Sequence, residues 1–262
     1  MPVQSLKVNK SIFGDCMKIM PTLPDGAFDL ILADLPYTKT SLEWDKALPL
    51  AALWKEYERL IKPNGAIVLF SCEPFASLLR CSNLRSYKYD LIWDKCNTTN
   101  WTNAKRMPLR RHENILVFYK KQPTYNPQFE EIRAADYRYR KNGRGHNAKT
   151  YKNTAYGTVT ELKREETGKR YPNTILKFSN SNWNGKLHPT QKPVLLYEFL
   201  IKSFTNEGEL VLDNVAGSGT LGVACLNTNR NYVMIENNMD HFETIKIRIK
   251  EVTKEIIKKK KH

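Results

Sequence analysis

The feature that most constrains this chain is a regular alternation of short apolar runs with amphipathic stretches of helical spacing. The apolar runs have the length and composition of strands buried on both faces; they are residues 11–14, 28–33, 66–71, 89–93, 114–120, 208–213 and 231–236. The amphipathic stretches lie at 48–61, 74–82, 192–204, 220–228 and from about Asp240 onwards. Alternation of this kind predicts an α/β fold with a doubly wound, mainly parallel sheet.

The alternation stops over residues 121–186, which divides the chain into a core domain (1–120 and 187–262) and an insertion. The insertion holds fourteen Lys and Arg against six Asp and Glu, so it carries +8 of the +15 net charge of the 262-residue chain. It also holds nine aromatic residues, whereas disordered linkers are poor in aromatics. Basic and aromatic residues together suit phosphate contacts and stacking on bases, so we expect an ordered insertion that binds nucleic acid. The alternative is a basic subdomain whose aromatics pack into a small core.

Other features of the composition argue against a membrane protein, a secreted protein and a metalloprotein. The apolar runs fall well short of the roughly 20 residues of a membrane span, and the first ten residues lack the apolar core of a signal peptide. The five cysteines are odd in number and form no C-x-x-C pair, which indicates reduced thiols in a cytoplasmic protein. Lone histidines such as His112 and His146 have no partner at ligand spacing, so we expect no metal site.

The stretch FDLILADLPYT at 28–38 places a carboxylate and an aromatic ring at the end of a buried strand. Pro36 cannot donate to a strand ladder, so the strand is expected to end near Asp34. Open α/β sheets bind ligands at the carboxyl ends of their strands, which makes Asp34 and Tyr37 candidates for a site. Taken alone, the four residues DLPY fit an ordinary strand end with a turn proline better.

A second strand end, GELVLDNVAGSGT at 208–220, has the composition of a ligand-binding turn. Gly217 and Gly219 allow backbone amides to approach a ligand, and the N-terminus of the following helix favours an anion. Glu236 ends the next strand, where a carboxylate accepts hydrogen bonds from both hydroxyls of a ribose. The fingerprint G-x-G-x-x-G is absent and Asp213 would repel a pyrophosphate, so a cationic nucleoside such as S-adenosylmethionine fits better. A glycine-rich structural turn is the alternative.

Taken together, these elements resemble the amino-methylating DNA methyltransferases in the permuted order called the β class. In that family a D-P-P-Y-type motif comes first, a target-recognition insertion follows and the glycine turn for the cofactor comes last. DLPY at 34–37, the insertion, and DNVAGSGT at 213–220 follow this order. HPTQKP at 188–193 and GDCMKIM at 14–20 resemble two further elements of the family.

The resemblance implies a Rossmann-like methyltransferase fold, S-adenosylmethionine as the cofactor and double-stranded DNA as the substrate. The catalytic residues it implies are Asp34, Leu35, Pro36 and Tyr37. The cofactor-binding residues it implies, with Asp15 by the adenine and Lys192 near the methionine carboxylate, are Asp15, Cys16, Asp34, Lys192, Asp213, Ala216, Gly217, Ser218, Gly219, Thr220, Glu236 and Asn237. The DNA-binding candidates are basic residues of the 105–111 loop and of the insertion: Lys105, Arg106, Arg110, Arg111, Arg138, Arg140, Lys141 and Arg144.

The chain departs from the family pattern at two places. Leu35 stands where proline is usual, although the carbonyl used there belongs to the backbone. Asn214 and Val215 stand where the family has Pro-Phe, and losing the aromatic ring changes the packing around the cofactor. In the family, aspartate at the first motif position usually accompanies adenine and serine accompanies cytosine. We therefore expect N6 methylation of a flipped-out adenine, with N4 methylation of cytosine as the alternative.

Three other functions account for less of the sequence. Cytosine-C5 methylation uses a Pro-Cys thiolate, and the chain has no such dipeptide. Glutamine methylation of proteins usually has asparagine at the first motif position and does not call for a basic insertion. A non-catalytic DNA-binding protein would explain the charge but not two strand ends built for ligands. The resemblance also implies a homodimer, and no sequence feature identifies a cognate restriction enzyme.

Overall fold

The computed structural model describes residues 6–37, 48–131, 152–153, 157–158, 169–180 and 191–259. Its strands, in chain order, are β1 (Lys10–Phe13), β2 (Phe28–Asp34), β3 (Ile61–Ser71), β4 (Tyr87–Thr99), β5 (Arg110–Phe118), β6 (Glu130–Glu131), β7 (Lys152–Asn153), β8 (Gly157–Thr158), β9 (Lys169–Arg170), β10 (Ile175–Lys177), β11 (Leu210–Asp213) and β12 (Asn231–Glu236). Its α-helices are α1 (Cys16–Ile19), α2 (Leu50–Leu60), α3 (Phe75–Ser82), α4 (Val194–Phe204), α5 (Thr220–Asn227) and α6 (Met239–Lys259).

Eight strands form one sheet in the order β1-β12-β11-β2-β3-β5-β4-β10. The pairs from β1 to β3 are parallel, and β10 is parallel to β4. Among the strands that the structure describes in this sheet, β5 alone runs in the opposite direction. The predicted doubly wound, mainly parallel sheet is therefore confirmed.

Both faces of the sheet are buried, as the continuous apolar runs indicate. Along β2, Leu30 and Leu32 pack into the core on one face, together with residues of α4 and α5. Ile31 and Ala33 point to the other face and pack with residues of α2 and α3. Alternate residues of one strand thus enter two separate cores, because side chains of a strand alternate between its faces.

The central strands are longer than the apolar runs predict. β3 begins at Ile61 rather than at residue 66, and its pairing with β2 shifts register between Phe28 and Leu30. β4 and β5 continue pairing out to Thr99 and Arg110, beyond their apolar segments. Arg110 and Arg111 are therefore strand residues, not loop residues as expected, because pairing across the hairpin extends a strand beyond its buried part.

The chain divides into two compact units, the larger formed by Met1–Asn126 with Thr174–His262 and the smaller by Pro127–Asn173. Ile175–Lys177, inside the predicted insertion, pairs with β4 as an edge strand of the large sheet, and its Leu176 is buried. Within the smaller unit, β6 pairs with β9 and β7 pairs with β8. The rings of Phe129 and Tyr171 lie 4.8 Å apart there.

Four of the DNA-binding candidates, Arg138, Arg140, Lys141 and Arg144, lie outside the described residues. The described helices include none that is long and apolar enough to cross a membrane. In the same part of the chain, no group of three or more His, Cys, Asp and Glu residues is arranged to hold a metal ion.

Candidate active site at the carboxyl edge of the sheet

Three carboxylates that are distant in the sequence meet at one edge of the sheet. Asp34, Asp213 and Glu236 are the last residues of β2, β11 and β12, which are neighbouring parallel strands. Parallel strands share the edge at which they end, so the two strand ends identified in the sequence are brought together.

The carboxylate of Asp34 is held by two donors of its own chain. The hydroxyl of Tyr37 donates to Oδ1, and the ammonium of Lys192 donates to Oδ2. Burial and the charge of Asp34 raise the pKa of Tyr37 well above its ordinary value, so this hydroxyl stays protonated. Leu35 is buried and Asp34 is about one quarter exposed, so the carboxylate remains open on one side.

Lys192 is an almost buried cation that lies between two carboxylates. Its Nζ lies 3.3 Å from Oε2 of Glu113 in addition to its contact with Asp34, and 5.2 Å from the centre of the Phe70 ring. Burial opposes the charge, but Asp34 and Glu113 outweigh it and raise the pKa of Lys192. A buried charge is tolerated when it is paired and hydrogen-bonded in this way.

Glu113 and Lys95 belong to this site, and the motif analysis did not find them. Nζ of Lys95 donates to Oε1 of Glu113 at 3.2 Å, which extends the network to Lys95, Glu113, Lys192 and Asp34 in turn. Burial opposes the charge of Glu113, but the two lysines outweigh it and lower its pKa. Strand direction is the one signal that points to Glu113. Because β5 is antiparallel, its first residues lie at the edge where the parallel strands end.

Asp213 lies at the start of the glycine turn and is fully enclosed. One carboxylate oxygen accepts a hydrogen bond from the backbone N–H of Val215 at 3.0 Å. Burial nevertheless raises the pKa of Asp213 to about 8, and the neighbouring charges of Asp34 and Glu236 add to the increase. The next residue, Asn214, accepts a buried hydrogen bond from the Tyr57 hydroxyl at 2.6 Å. Proline, the family residue at this position, has no side-chain acceptor.

The two glycines of the turn are required for different reasons. Both have positive φ, +52° at Gly217 and +77° at Gly219, which disfavours other residues. A Cβ at Gly217 would meet no atom of the described residues within 4 Å, so this position faces open space. A Cβ at Gly219 would lie 2.8 Å from Cγ1 of Ile245, so this glycine lets α6 pack closely.

The carboxylate of Glu236 is buried and anchors the turn. Its oxygens accept hydrogen bonds from the N–H groups of Gly217 at 2.7 Å and Asn238 at 2.8 Å. The backbone N–H of Gly14 donates to the carbonyl of Glu236 at 2.9 Å, which brings the 14–16 segment to the same edge. There Asp15 is exposed and accepts a hydrogen bond from Met17 N at 2.9 Å, whereas Cys16 is buried. Asn237 is exposed beside Glu236.

The buried guanidinium of Arg248 is a second feature that the motifs did not reveal. Its Nη1 donates to the carbonyl of Ser218 at 2.6 Å, to the Ser218 hydroxyl at 3.0 Å and to the Thr220 hydroxyl at 3.4 Å. The side chains of Ser218 and Thr220 are therefore engaged within the protein, and Ala216 is buried beside them. Arg248 therefore stabilises the glycine turn from the side of α6. It reaches the turn only because α6 packs there.

The described DNA-binding candidates lie on and near the same edge. Lys105, Arg106 and Arg110 are exposed. Arg111 is also exposed, but its guanidinium forms a bidentate contact with Asp94 at 2.7 and 3.0 Å. Lys105, Arg106 and Arg110 are thus exposed candidates for DNA contact. Arg111 instead links β5 to β4 through its ion pair with Asp94.

Comparison with known proteins gives a consistent picture. A family model described as DNA methylase, of the N6 and N4 methyltransferases, matches residues 28–247. The type II methyltransferase M.HpaI of Haemophilus parainfluenzae is 30% identical over 253 residues, which cover 91% of this chain and 73% of that protein. The type II methyltransferase M.HinfI of Haemophilus influenzae is 25% identical, with 94% and 69% covered.

Solved structures show the same architecture. The M1.HpyAVI complex with S-adenosylmethionine has a TM-score of 0.62 and 25% identity, and the match covers 92% of this chain and 98% of that one. The cytosine-N4-specific PvuII DNA methyltransferase has a TM-score of 0.63 at 16% identity, with 94% and 90% covered, and shows the common fold alone. The predicted fold class and enzyme class are confirmed, and this chain belongs to the family of N6 and N4 DNA methyltransferases.

Proposed function

We propose that this DNA methyltransferase transfers a methyl group from S-adenosylmethionine to N6 of an adenine flipped out of duplex DNA. The observation that carries the proposal is the meeting of Asp34 with the Gly217 turn and Glu236 at one edge of the sheet. Asp34, at one end of this edge, suits an exocyclic amine. The glycine turn and Glu236, at the other end, suit a nucleoside cofactor. S-adenosylmethionine supplies a methyl group already activated on a sulfonium.

The residues around the turn suit that cofactor. Glu236 keeps a second lone pair on each oxygen beyond its two backbone contacts, and a carboxylate there accepts from ribose hydroxyls. Gly217 faces open space, so a ligand can approach the turn there, although the N–H groups of Gly217 and Gly219 donate to Glu236 and to the carbonyl of Ala216 rather than toward that space. Asp15 and Asn237 are exposed at the same edge and are assigned to the adenine end of the cofactor. The neighbour solved with S-adenosylmethionine supports this assignment.

Asp34 and Leu35 are assigned to the methyl acceptor. The lone pair of an exocyclic amine is delocalised into its ring, so the amine is a weak nucleophile. Hydrogen bonds from the amine to the Asp34 carboxylate and the Leu35 carbonyl would favour a pyramidal nitrogen and stabilise its developing positive charge. Pro36 restricts the turn, and Tyr37, whose ring lies 5.7 Å from that of Phe75, offers a surface on which the base stacks.

Adenine is favoured over cytosine by the first residue of the motif. Asp34 presents a carboxylate where the cytosine enzymes of the family usually have serine, and a carboxylate is the stronger acceptor for an amine. Both bases have an exocyclic amine beside a ring nitrogen, so N4 methylation of cytosine is the competing product. A base inside a duplex cannot reach Asp34, so the target must leave the stack.

We assign DNA binding to the exposed Lys105, Arg106 and Arg110 and to the insertion, with the cytoplasm as location and a homodimer as the functional state. Methylome sequencing of a host that expresses the protein tests the proposal. We expect methylated adenines at one short sequence with the wild type and none with Asp34→Ala. A host DNA without new methylation, despite folded protein, would contradict the proposed activity.

A further inference from the structure

The turn that joins β4 to β5, residues 100–109, carries two large apolar side chains that are exposed to solvent. We call this segment the hairpin tip. Trp101 is 68% exposed and Met107 is 49% exposed. The hydrophobic effect opposes leaving an indole in water, and solvent-exposed aromatics of this kind are common at sites where proteins bind partners.

The backbone of the hairpin tip is fixed by its own hydrogen bonds. The amide of Asn103 donates to the side chain of Asn100 at 2.8 Å, and the N–H of Ala104 donates to the carbonyl of Trp101 at 3.1 Å. The N–H of Met107 donates to the carbonyl of Asn103 at 3.0 Å. Because the polar groups bond to one another, Trp101 is presented outward on a defined turn.

Strand register places the hairpin tip beyond the catalytic carboxylate. Asp34 lies level with Phe70, which in turn lies level with Ile115 of β5. The hairpin still pairs at Arg110, five residues further along β5, which is about 17 Å at 3.3–3.4 Å per residue. A base that enters the site comes from a duplex outside this edge, so the hairpin tip reaches to where that duplex lies.

The charge around the hairpin tip indicates which kind of partner binds there. The hairpin tip and the strand ends beside it, residues 96–112, hold four basic residues and no acidic ones. Lys105, Arg106 and Arg110 are exposed there. Exposed cations beside an exposed aromatic ring match a phosphate backbone next to a base stack.

We propose that Trp101 stacks between bases at the target pair and fills the space that the flipped base leaves. This inference rests on the proposed function, because it assumes a base that leaves its duplex. Lys105 and Arg106 of the hairpin tip, with the neighbouring Arg110, would hold the adjacent phosphates while the indole replaces the lost stacking. Apolar side chains of other DNA-binding proteins are known to insert between base steps, so a duplex can accommodate such a ring.

The test compares two duplexes that carry the sequence methylated by the wild type in vivo. One duplex is fully paired, and the other has a mismatch opposite the target base, which lowers the cost of flipping. Trp101→Ala is compared with Trp101→Phe, which keeps a ring, and with Leu84→Ala. Leu84 is 67% exposed just before β4, at the opposite edge of the sheet, and is a matched control for loss of an exposed apolar side chain.

We expect Trp101→Ala to lower kcat/KM at least tenfold on the paired duplex and less than threefold on the mismatched one. For Trp101→Phe and Leu84→Ala, kcat/KM should stay within about threefold of the wild-type value on both duplexes. The affinity for S-adenosylmethionine should be unchanged in all three variants. Wild-type rates for Trp101→Ala on the paired duplex would overturn the inference, and so would equal losses on both duplexes. Absence of methylation by the wild type would instead overturn the proposed function.

Discussion

The ammonium of Lys192 donates to the carboxylate of Asp34, although the two residues are 158 positions apart in the sequence. The family resemblance places Lys192 near the methionine carboxylate of the cofactor, whereas the structure places it against the catalytic motif. The buried ammonium pairs with the Asp34 carboxylate, whose oxygens are acceptors for the hydrogen bonds of an amine. Lys192 thus links the catalytic motif to the segment before α4.

Replacing Glu113 by Gln should lower kcat about tenfold, which is about 1.4 kcal/mol. Glu113 holds Lys192 in place at 3.3 Å, and without its charge the lysine loses one of its two carboxylate partners. Binding of S-adenosylmethionine, measured by calorimetry, should stay within about threefold. Glu58→Gln is the control, because Glu58 forms a more exposed ion pair with Lys120. Equal kcat values for Glu113→Gln and Glu58→Gln would contradict a role of Glu113 in the site.

Tyr37→Phe should retain at least about a third of the wild-type kcat, and Tyr37→Ala should lose at least tenfold. The hydroxyl of Tyr37 occupies Oδ1 of Asp34, an oxygen that the substrate amine would use, while the ring supplies the stacking surface. Steady-state kinetics on duplex DNA separate the two variants. Similar losses in both would show that the hydroxyl, not the ring, is required.

The two glycines of the turn should respond differently to valine. Gly219→Val would place side-chain atoms against Ile245, so we expect a loss of unfolding free energy of about 2–4 kcal/mol. Gly217→Val faces open space, so it should cost less stability but weaken S-adenosylmethionine binding at least tenfold by filling that space. Thermal unfolding and calorimetry measure the two effects. The same loss of unfolding free energy in both variants would contradict the assignment of Gly219 to helix packing and of Gly217 to the cofactor space.

Asp213 should make the ligand-free protein less stable as the pH rises from about 5 to 8. Burial raises its pKa to about 8. The same group in the unfolded chain titrates near about 3.9. The stability it contributes is complete below about pH 4 and is lost as the pH rises through the folded pKa, because the unfolded chain releases the proton first. The melting temperature of Asp213→Asn should therefore fall less than that of the wild type over this range. Parallel curves for the two proteins would contradict the elevated pKa.

The parts of the site that are visible in the sequence are those marked by a local pattern. Asp34, Asp213 and Glu236 each end an apolar run, and a proline, a glycine turn or a polar pair follows at once. Strand ends of this kind can be located from composition and periodicity alone, because parallel strands bury both faces.

The residues that sequence analysis missed depend on long-range packing. Lys95 and Glu113 enter the site because β4 and β5 pair as an antiparallel hairpin next to β3. Arg248 reaches the glycine turn because α6 packs against α5. The sequence predicts a loop at Arg110 because nothing in its own neighbourhood shows that β5 continues past the buried segment. None of these relationships leaves a periodic signal in the chain.

The central claim is that Asp34 accepts the amine of adenine at this edge of the sheet. Nucleoside mass spectrometry of unmethylated plasmid DNA, incubated with purified protein and S-adenosylmethionine, tests it most directly. We predict N6-methyladenine as the methylated product of the wild type, and none from Asp34→Ala even though that variant still binds S-adenosylmethionine. N4-methylcytosine as the product, or N6-methyladenine formed by Asp34→Ala at the wild-type rate, would contradict the account.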